Sequence, residues 1–129
     1  MTRNEILNMP VSRELDVLIA EKVFGCNVRR APSGAVYCNC ERVTPLQFAP
    51  HGDLDLSEIY DYSTDDAAAW GVVEGIRDRF AFAIKESEDT EGWDACFFGR
   101  GANVGHWQAY AETAPLAICR AALLAVSDL

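Results

Sequence analysis

The chain reads Tyr62-Ser63-Thr64-Asp65-Asp66-Ala67-Ala68-Ala69-Trp70 and continues through Gly71 to Phe80, and this segment has the clearest helical pattern of the sequence. Ser63 is a suitable N-cap, and Asp66 three residues later resembles the second member of a capping box. Apolar side chains recur at the spacing of one helix face: Ala69, Val72, Val73, Ile76 and Phe80. The pattern predicts a helix over 63–80 with one buried face.

Two further segments have helical patterns. Ser12 can cap a helix over 12–24, and Gly25 is placed to end it. Residues 113–126 are apolar on almost every side, with Arg120 as the one charge. A helix of this kind is buried on more than one side. Either it packs between the sheet and another helix, or its alanine face meets a second copy of the chain and makes a homo-oligomer.

Short alternating segments predict strands. Residues 27–30 and 35–40 form a hairpin candidate around Pro32-Ser33-Gly34, and 80–87, 93–98 and 106–111 form an antiparallel meander. We expect hairpin and meander to share one sheet. Residues 41–61 are expected to be a long loop with a helical turn near Leu56–Tyr60. The prediction is a single α+β domain over 12–129, an α/β/α sandwich with a mainly antiparallel sheet, after a flexible N-terminal arm at 1–11.

Composition indicates a small globular domain in a reducing compartment. The 129 residues suffice for one hydrophobic core. No apolar run approaches the roughly 18 residues of a membrane span, and the N-terminus lacks the apolar region of a signal peptide. Five cysteines are an odd number, which favours free thiols in a cytosol. Trp70, Trp93 and Trp107 are expected in the core; an exposed one would be a candidate interface anchor.

Negative charge is concentrated in the second half of the chain. Residues 1–50 carry six basic and five acidic side chains, a net of +1, whereas residues 51–129 carry five basic and fifteen acidic, a net of -10. Neither acidic run, 53–66 or 86–94, contains Lys or Arg. Direct binding to a nucleic-acid backbone, which needs clustered cations, is therefore disfavoured.

The acidic runs have two interpretations. They are either solvated loops that maintain solubility or a surface for a partner with basic residues. Nearby aromatic side chains would supply anchoring contacts in the second case. The candidate partner-binding residues are Asp53, Asp55, Glu58, Asp61, Glu88, Asp89, Glu91, Tyr60 and Trp93.

Three segments resemble the phage ABA sandwich domain, in matching order over about residues 15–125. They are Leu15-Asp16-Val17-Leu18-Ile19-Ala20-Glu21-Lys22-Val23-Phe24-Gly25, Tyr62-Ser63-Thr64-Asp65 with Ala67-Ala68-Ala69-Trp70 and Val72-Val73-Glu74, and Thr113-Ala114-Pro115-Leu116-Ala117-Ile118-Cys119-Arg120-Ala121-Ala122-Leu123. The chain differs from the family at Asp66, where an apolar residue is expected, and in a longer, more acidic middle loop. The resemblance implies helices on both sides of a central sheet and a viral protein made in the host cytoplasm. It implies no activity, because the family has no catalytic motif to transfer.

Residue patterns typical of metal, phosphate or catalytic sites are incomplete. Cys38 and Cys40 share a strand face, and Cys26 with His51 would complete four zinc ligands, but the paired spacing of zinc ribbons is absent. Buried cysteines that act as small hydrophobes are the alternative. The glycine-rich segment 99–105 is followed by a strand, whereas a phosphate loop needs a helix there. We therefore expect no enzyme, no metal and no cofactor.

Two functional classes remain. The first is a phage-encoded accessory protein that binds a host protein through its acidic surface and inhibits a host defence system, with nucleic-acid mimicry as one version. The second is a small-ligand protein that binds or sequesters a nucleotide signal. The second class needs a cationic pocket, for which the sequence offers Lys22, Arg29, Arg30 and Arg42.

Overall fold

The computed structural model describes residues 2–25, 28–30, 36–38, 57–102 and 104–127, which form four helices and six strands. In chain order the elements are α1 (Arg3–Leu7), α2 (Arg13–Lys22), β1 (Val28–Arg30), β2 (Val36–Cys38), β3 (Ser57–Glu58), α3 (Asp66–Gly75), β4 (Phe80–Glu86), β5 (Trp93–Gly99), β6 (His106–Ala111) and α4 (Ala114–Ser127). This is an α+β sandwich, as the sequence predicts.

The described strands form two antiparallel sheets, β1–β2–β3 and β4–β5–β6, rather than the single sheet expected from the sequence. The hairpin β1–β2 has the predicted pairing, with Val28 opposite Cys38. Its other neighbour is β3, where Glu58 lies opposite Tyr37. The helical turn expected near Leu56–Tyr60 is therefore wrong, because residues 57–58 are extended and complete this small sheet.

One face of the β4–β5–β6 sheet lies against the hydrophobic core. The register aligns Phe82 with Phe97 and Trp107 on this face, and Phe97 is fully buried. The opposite face, called the outward face below, meets solvent: Phe98 is 43% exposed and Tyr110 37%. The period-two alternation predicted for these strands is confirmed.

Helix α4 lies at the centre of the domain. It contacts β5 and β6 on one side and α1, α2 and α3 on others, and its alanine face is buried within the domain. Small side chains let the backbones of the strands and helices approach closely. Of the two arrangements considered for this segment, the structure has the first, in which the helix packs between the sheet and other helices.

The predicted N-terminal arm carries the helix α1. Thr2 and Glu5 form a complete capping box, and Ile6 is only 2% exposed in the core. The Arg120 guanidinium on α4 donates from Nε and Nη2 to the Met9 carbonyl, at 3.0 and 2.7 Å. These contacts attach residues 3–9 to the rest of the domain.

Helix α3 is shorter than the predicted 63–80 at both ends. Its N-cap is Asp65, whose Oδ1 accepts from the backbone N–H of Ala68 at 3.0 Å, and not Ser63. It ends at Gly75, and the chain then turns as the Arg79 and Phe80 N–H groups both donate to the Ile76 carbonyl at 3.0 Å. The predicted apolar stripe is nevertheless confirmed: Ala69, Val72, Val73, Ile76 and Phe80 are all at most 5% exposed.

Candidate interaction surface

The turn between β4 and β5 presents three exposed carboxylates, Glu88, Asp89 and Glu91. Backbone contacts fix its shape, since the Ser87 N–H donates to the Gly92 carbonyl at 3.0 Å. Gly92 has φ of +150°, and a Cβ there would lie 2.6 Å from the Tyr110 hydroxyl, so the turn requires glycine. Apart from a 3.9 Å ion pair between Lys85 and Glu88, no described residue forms a salt bridge with the three carboxylates.

A second acidic group precedes and begins α3. Asp61 forms an ion pair with Arg13 at 3.0 Å and keeps 71% of its side chain exposed, while Asp65 and Asp66 are exposed at the helix start. Tyr60 is 44% exposed and contacts the Tyr62 ring edge-on, with 6.0 Å between centroids. An exposed aromatic side chain therefore lies beside these carboxylates.

Hydrogen bonds connect the two acidic groups. The Tyr110 hydroxyl donates to the Glu91 carbonyl at 2.6 Å, and the Tyr110 carbonyl accepts from Arg120 at 2.9 Å. The Arg120 guanidinium also donates to the Met9 carbonyl, a few residues before α2. Arg13, in the first turn of α2, forms an ion pair with Asp61, so this series of contacts leads from the β4–β5 turn to the residues before α3.

The chain direction also brings these groups to one end of the molecule. After the turn at 76–79 the chain enters β4, and the Trp70 and Phe82 rings, 6.0 Å apart between centroids, make a contact part-way along both elements. The last residues of β4 therefore return toward the start of α3. We call this region the acidic end and define it by the exposed carboxylates Asp61, Asp65, Asp66, Glu88, Asp89, Glu91 and Glu112.

The remaining predicted partner-binding residues have different positions. Asp53 and Asp55 lie outside the described residues, and Glu58 belongs to β3. Trp93 is half-buried and packs against the core instead of projecting from the acidic turn. Trp70, expected in the core, is 52% exposed on α3 and is the more accessible candidate anchor. Its position next to Ala69 places it about 100° from the buried stripe, which is the sequence signal for its exposure.

The predicted zinc ligands are only partly described. Cys38 is the last residue of β2, whereas Cys26, Cys40 and His51 lie outside the described residues. Within the described ranges no group of three or more His, Cys, Asp or Glu side chains is arranged to hold a metal ion. Cys96 and Cys119 are free thiols, and burial raises the pKa of each.

A buried serine–carboxylate pair has a structural role. The Asp16 Oδ1 accepts from the Ser63 hydroxyl at 2.7 Å and from the Ser63 N–H at 2.9 Å. Asp16 is 4% and Ser63 1% exposed, so a substrate has no access to the hydroxyl. The pair connects α2 to the turn before α3.

The cations proposed for a small-ligand pocket are only partly described. Lys22 borders a groove of ≈ 590 Å³ between α2 and α4, whose other lining residues are Leu18, Glu21, Leu123, Val126 and Ser127. Arg29 and Arg30 belong to β1, and Arg42 lies outside the described residues. Glu21 sits beside the single cation of this groove, so the groove does not resemble an anion site.

The fold and the charge distribution define a small α+β sandwich domain with one strongly acidic end. The model of the phage ABA sandwich domain family matches residues 17–123, and the chain belongs to this family, which has no established activity. No curated protein matches the chain in sequence. In the described residues, no helix combines the length and apolar character that a membrane crossing requires.

A solved structure supports the assignment of the fold. The chain is similar to a phage protein from Bacillus cereus ATCC 14579 whose crystal structure was determined at 2.0 Å. The two share 25% sequence identity and a TM-score of 0.65, with 89% of this chain and 86% of the other covered.

Proposed function

We propose that this protein is a non-enzymatic phage accessory protein that acts in the host cytoplasm by binding a basic surface of a host protein with its acidic end. The observation that supports the proposal is the grouping of exposed carboxylates from the β4–β5 turn and the start of α3. A host defence component that normally binds nucleic acid is a fitting partner, because its basic groove matches an acidic protein.

The electrostatic attraction between the acidic end and its partner would mainly raise the association rate. The field of the acidic end extends about one Debye length, ~8 Å at physiological salt, and steers a basic partner toward it. The lifetime of the complex depends more on short-range contacts. Tyr60 is placed to provide one, since aromatic side chains often dominate interface energetics.

The test begins with a pull-down from host lysate followed by association kinetics with the purified partner. The variant neutralises the acidic turn: Glu88→Gln, Asp89→Asn and Glu91→Gln. The control neutralises three carboxylates away from the acidic end: Glu21→Gln, Glu74→Gln and Asp78→Asn. Each variant loses three negative charges, so a difference in association rate between the two variants reports the effect of where the charges lie.

We expect the turn variant to associate about tenfold more slowly at low salt and to show a flatter salt dependence, with a dissociation rate close to wild type. The control variant should associate at nearly the wild-type rate. Equal association rates for the turn variant and the wild-type protein would show that the turn carboxylates serve only solubility, and the proposal would fail.

A further inference from the structure

Strand β4 forms one edge of the β4–β5–β6 sheet, since β5 is the only described strand that pairs with it. Hydrogen bonds just beyond both ends of β4 show which backbone groups face β5. The Ser87 N–H donates to the Gly92 carbonyl, and the Arg79 carbonyl accepts from the Arg100 N–H, both at 3.0 Å. The two sides of an antiparallel strand alternate residue by residue. The backbone groups that point to the open edge are therefore those of the even-numbered residues, Phe80, Phe82, Ile84 and Glu86.

Most of these backbone groups have no hydrogen-bond partner among the described residues. Only the Phe80 N–H has one, since it donates to the Ile76 carbonyl at 3.0 Å. The opposite edge of the sheet, formed by β6, differs in this respect. The Tyr110 carbonyl of β6 accepts from the Arg120 guanidinium at 2.9 Å. A further strand could not pair along the whole of β6 without displacing Arg120, whereas most of the β4 edge is open.

Apolar side chains border the open edge of β4. Phe82 and Ile84 are half-buried on its core-facing side, and Ala83 between them is exposed on the outward face. Trp70 of α3 is 52% exposed and meets the Phe82 ring edge-on. The seven residues of β4 pair with β5 without a bulge and include no proline. The strand thus lacks common features that prevent edge strands from pairing with another chain.

We propose that the β4 edge pairs with the β4 edge of a second copy of the chain, which joins the two sheets into one six-stranded sheet. A two-fold axis makes the two β4 strands antiparallel and gives both copies the same contacts. The register that overlaps all seven residues places Ala83 opposite Ala83 of the second copy and Phe82 opposite its Ile84. Trp70, in contact with Phe82, then lies within reach of that Ile84.

The backbone geometry fits this register. Ala83 and its copy form a pair without mutual hydrogen bonds, in which the Cα atoms approach to about 4.5 Å, and a methyl side chain permits this distance. The open groups of the even-numbered residues come opposite one another and form about six backbone hydrogen bonds, within the range of a typical interface. Phe82 and Ile84 form an apolar pair across the two strands, which is favourable.

The charges at the two ends of β4 are complementary in the same register. Phe80 lies opposite Glu86 of the second copy, and the Arg79 guanidinium lies over the Phe80 ring, 5.8 Å from its centroid. Glu86 is exposed and forms no ion pair with a described residue. The dimer brings this carboxylate beside a cation, and the two-fold axis repeats the contact at the other end. Self-pairing therefore favours a second copy over an unrelated peptide.

Sedimentation equilibrium of the purified full chain between about 1 and 100 μM tests the dimer. We expect a species of twice the mass of one chain. Ala83→Lys sets two ammonium groups opposite each other at the axis and should raise the dissociation constant at least about tenfold. The matched control is Gln108→Lys, which adds the same charge to an exposed position of the same outward row. It should leave the dissociation constant unchanged.

A cysteine variant tests the register. In Ala83→Cys the two new thiols lie at the axis, and a Cα separation of about 4.5 Å is within the range of a disulfide. Mild oxidation should therefore give a covalent dimer above the level that the wild-type chain gives with its own five cysteines. Ala81→Cys on the same face should not, because the two copies of this residue are about 13 Å apart along the strands.

Other outcomes overturn the proposal. A monomer at every concentration would exclude the dimer. Equal dissociation constants for Ala83→Lys and Gln108→Lys would place the interface elsewhere, and covalent dimers from Ala81→Cys instead of Ala83→Cys would contradict the register. Circular dichroism of each variant confirms that it is folded. The measurements use the purified chain alone, so the dimer and the proposed binding of a host protein can fail independently.

Discussion

At the scale of single residues, Ser63 shows how a long-range contact can override a local signal. Its hydroxyl and its N–H are both directed to the Asp16 carboxylate, 47 positions away in sequence, and Asp65 caps α3 instead. Ser63 and Asp65 are both good N-caps by type. Only the fold decides between them, because the buried Asp16 carboxylate needs donors beyond its local ion pair with Arg13, and Ser63 supplies two of them.

The two residues therefore have different expected costs of substitution. Ser63→Ala removes a buried hydrogen bond to a carboxylate and should lower the free energy of unfolding by about 2 kcal/mol. Asp65→Ala removes an exposed helix cap and should cost about 1 kcal/mol. Urea unfolding of both variants measures the difference. A smaller loss for Ser63→Ala than for Asp65→Ala would contradict the role assigned to Asp16.

Cys119 predicts a loss of stability at high pH. Burial, with a smaller contribution from Asp16, raises its pKa well above the ordinary value of 9.0. The unfolded chain therefore releases the thiol proton at lower pH than the folded chain. The stability that this group contributes is fully present below about pH 9 and falls as pH rises further, by up to about 1.4 kcal/mol per pH unit.

Urea unfolding between pH 8 and about pH 10 should show a steeper decline in the free energy of unfolding for the wild-type protein than for Cys119→Ala. Parallel declines would refute the prediction.

At the scale of secondary structure elements, the two glycines of α3 provide a matched comparison. A Cβ at Gly71 would meet nothing within 4 Å, whereas a Cβ at Gly75 would lie 2.5 Å from Cε1 of Phe24. Gly71→Ala should stabilise the protein by about 0.5–1 kcal/mol through helix propensity. Gly75→Ala should instead destabilise it by about 1 kcal/mol, because Phe24 is stacked on Tyr62 at 5.4 Å and has to move.

A double variant identifies the cause of the Gly75 effect. In a Phe24→Leu background the ring is absent, so Gly75→Ala should no longer be destabilising. Thermal unfolding of the single and double variants gives the coupling energy. If Gly75→Ala is equally destabilising in the Phe24→Leu background, the clash involves a neighbour other than the Phe24 ring.

The elements were predicted best where their pattern is local. Alternation identified β4, β5 and β6, and the stripe from Ala69 to Phe80 identified the core face of α3. The pairing of β2 with β3 was missed because β3 has only two residues and follows a long intervening segment. The placement of α1 in the core was missed because the contact of Arg120 with Met9 spans 111 positions.

The candidate sites follow the same division. Charge runs are visible in the sequence, so Asp61, Glu88, Asp89 and Glu91 could be proposed from it as candidate partner-binding residues. Trp70 was expected in the core because of its residue type, although its position about 100° from the buried stripe already indicated exposure.

At the scale of the whole molecule, charge is separated along the strand direction. The β4–β5 turn, the start of α3 and the start of α4 lie toward the acidic end, while the turn at 76–79 and Arg100 lie toward the opposite end of the strands. Carboxylates at helix starts have a structural reason, because they interact favourably with the helix dipole and the free N–H groups. The carboxylates of the β4–β5 turn do not lie at a helix start, so they lack this structural role, and they repel one another.

This contrast predicts that the acidic turn is dispensable for folding. Glu88→Gln, Asp89→Asn and Glu91→Gln together should leave the free energy of unfolding unchanged or raise it by about 0.5 kcal/mol at low salt, because mutual repulsion is relieved. The gain should shrink in 0.5 M NaCl, where the Debye length falls below about 5 Å. Urea unfolding at both salt concentrations measures this, with Asp65→Asn and Asp66→Asn as the comparison that should destabilise. A loss above about 1 kcal/mol in the turn variant would mean that these carboxylates hold the hairpin together, and their exposure would then no longer support a role in binding.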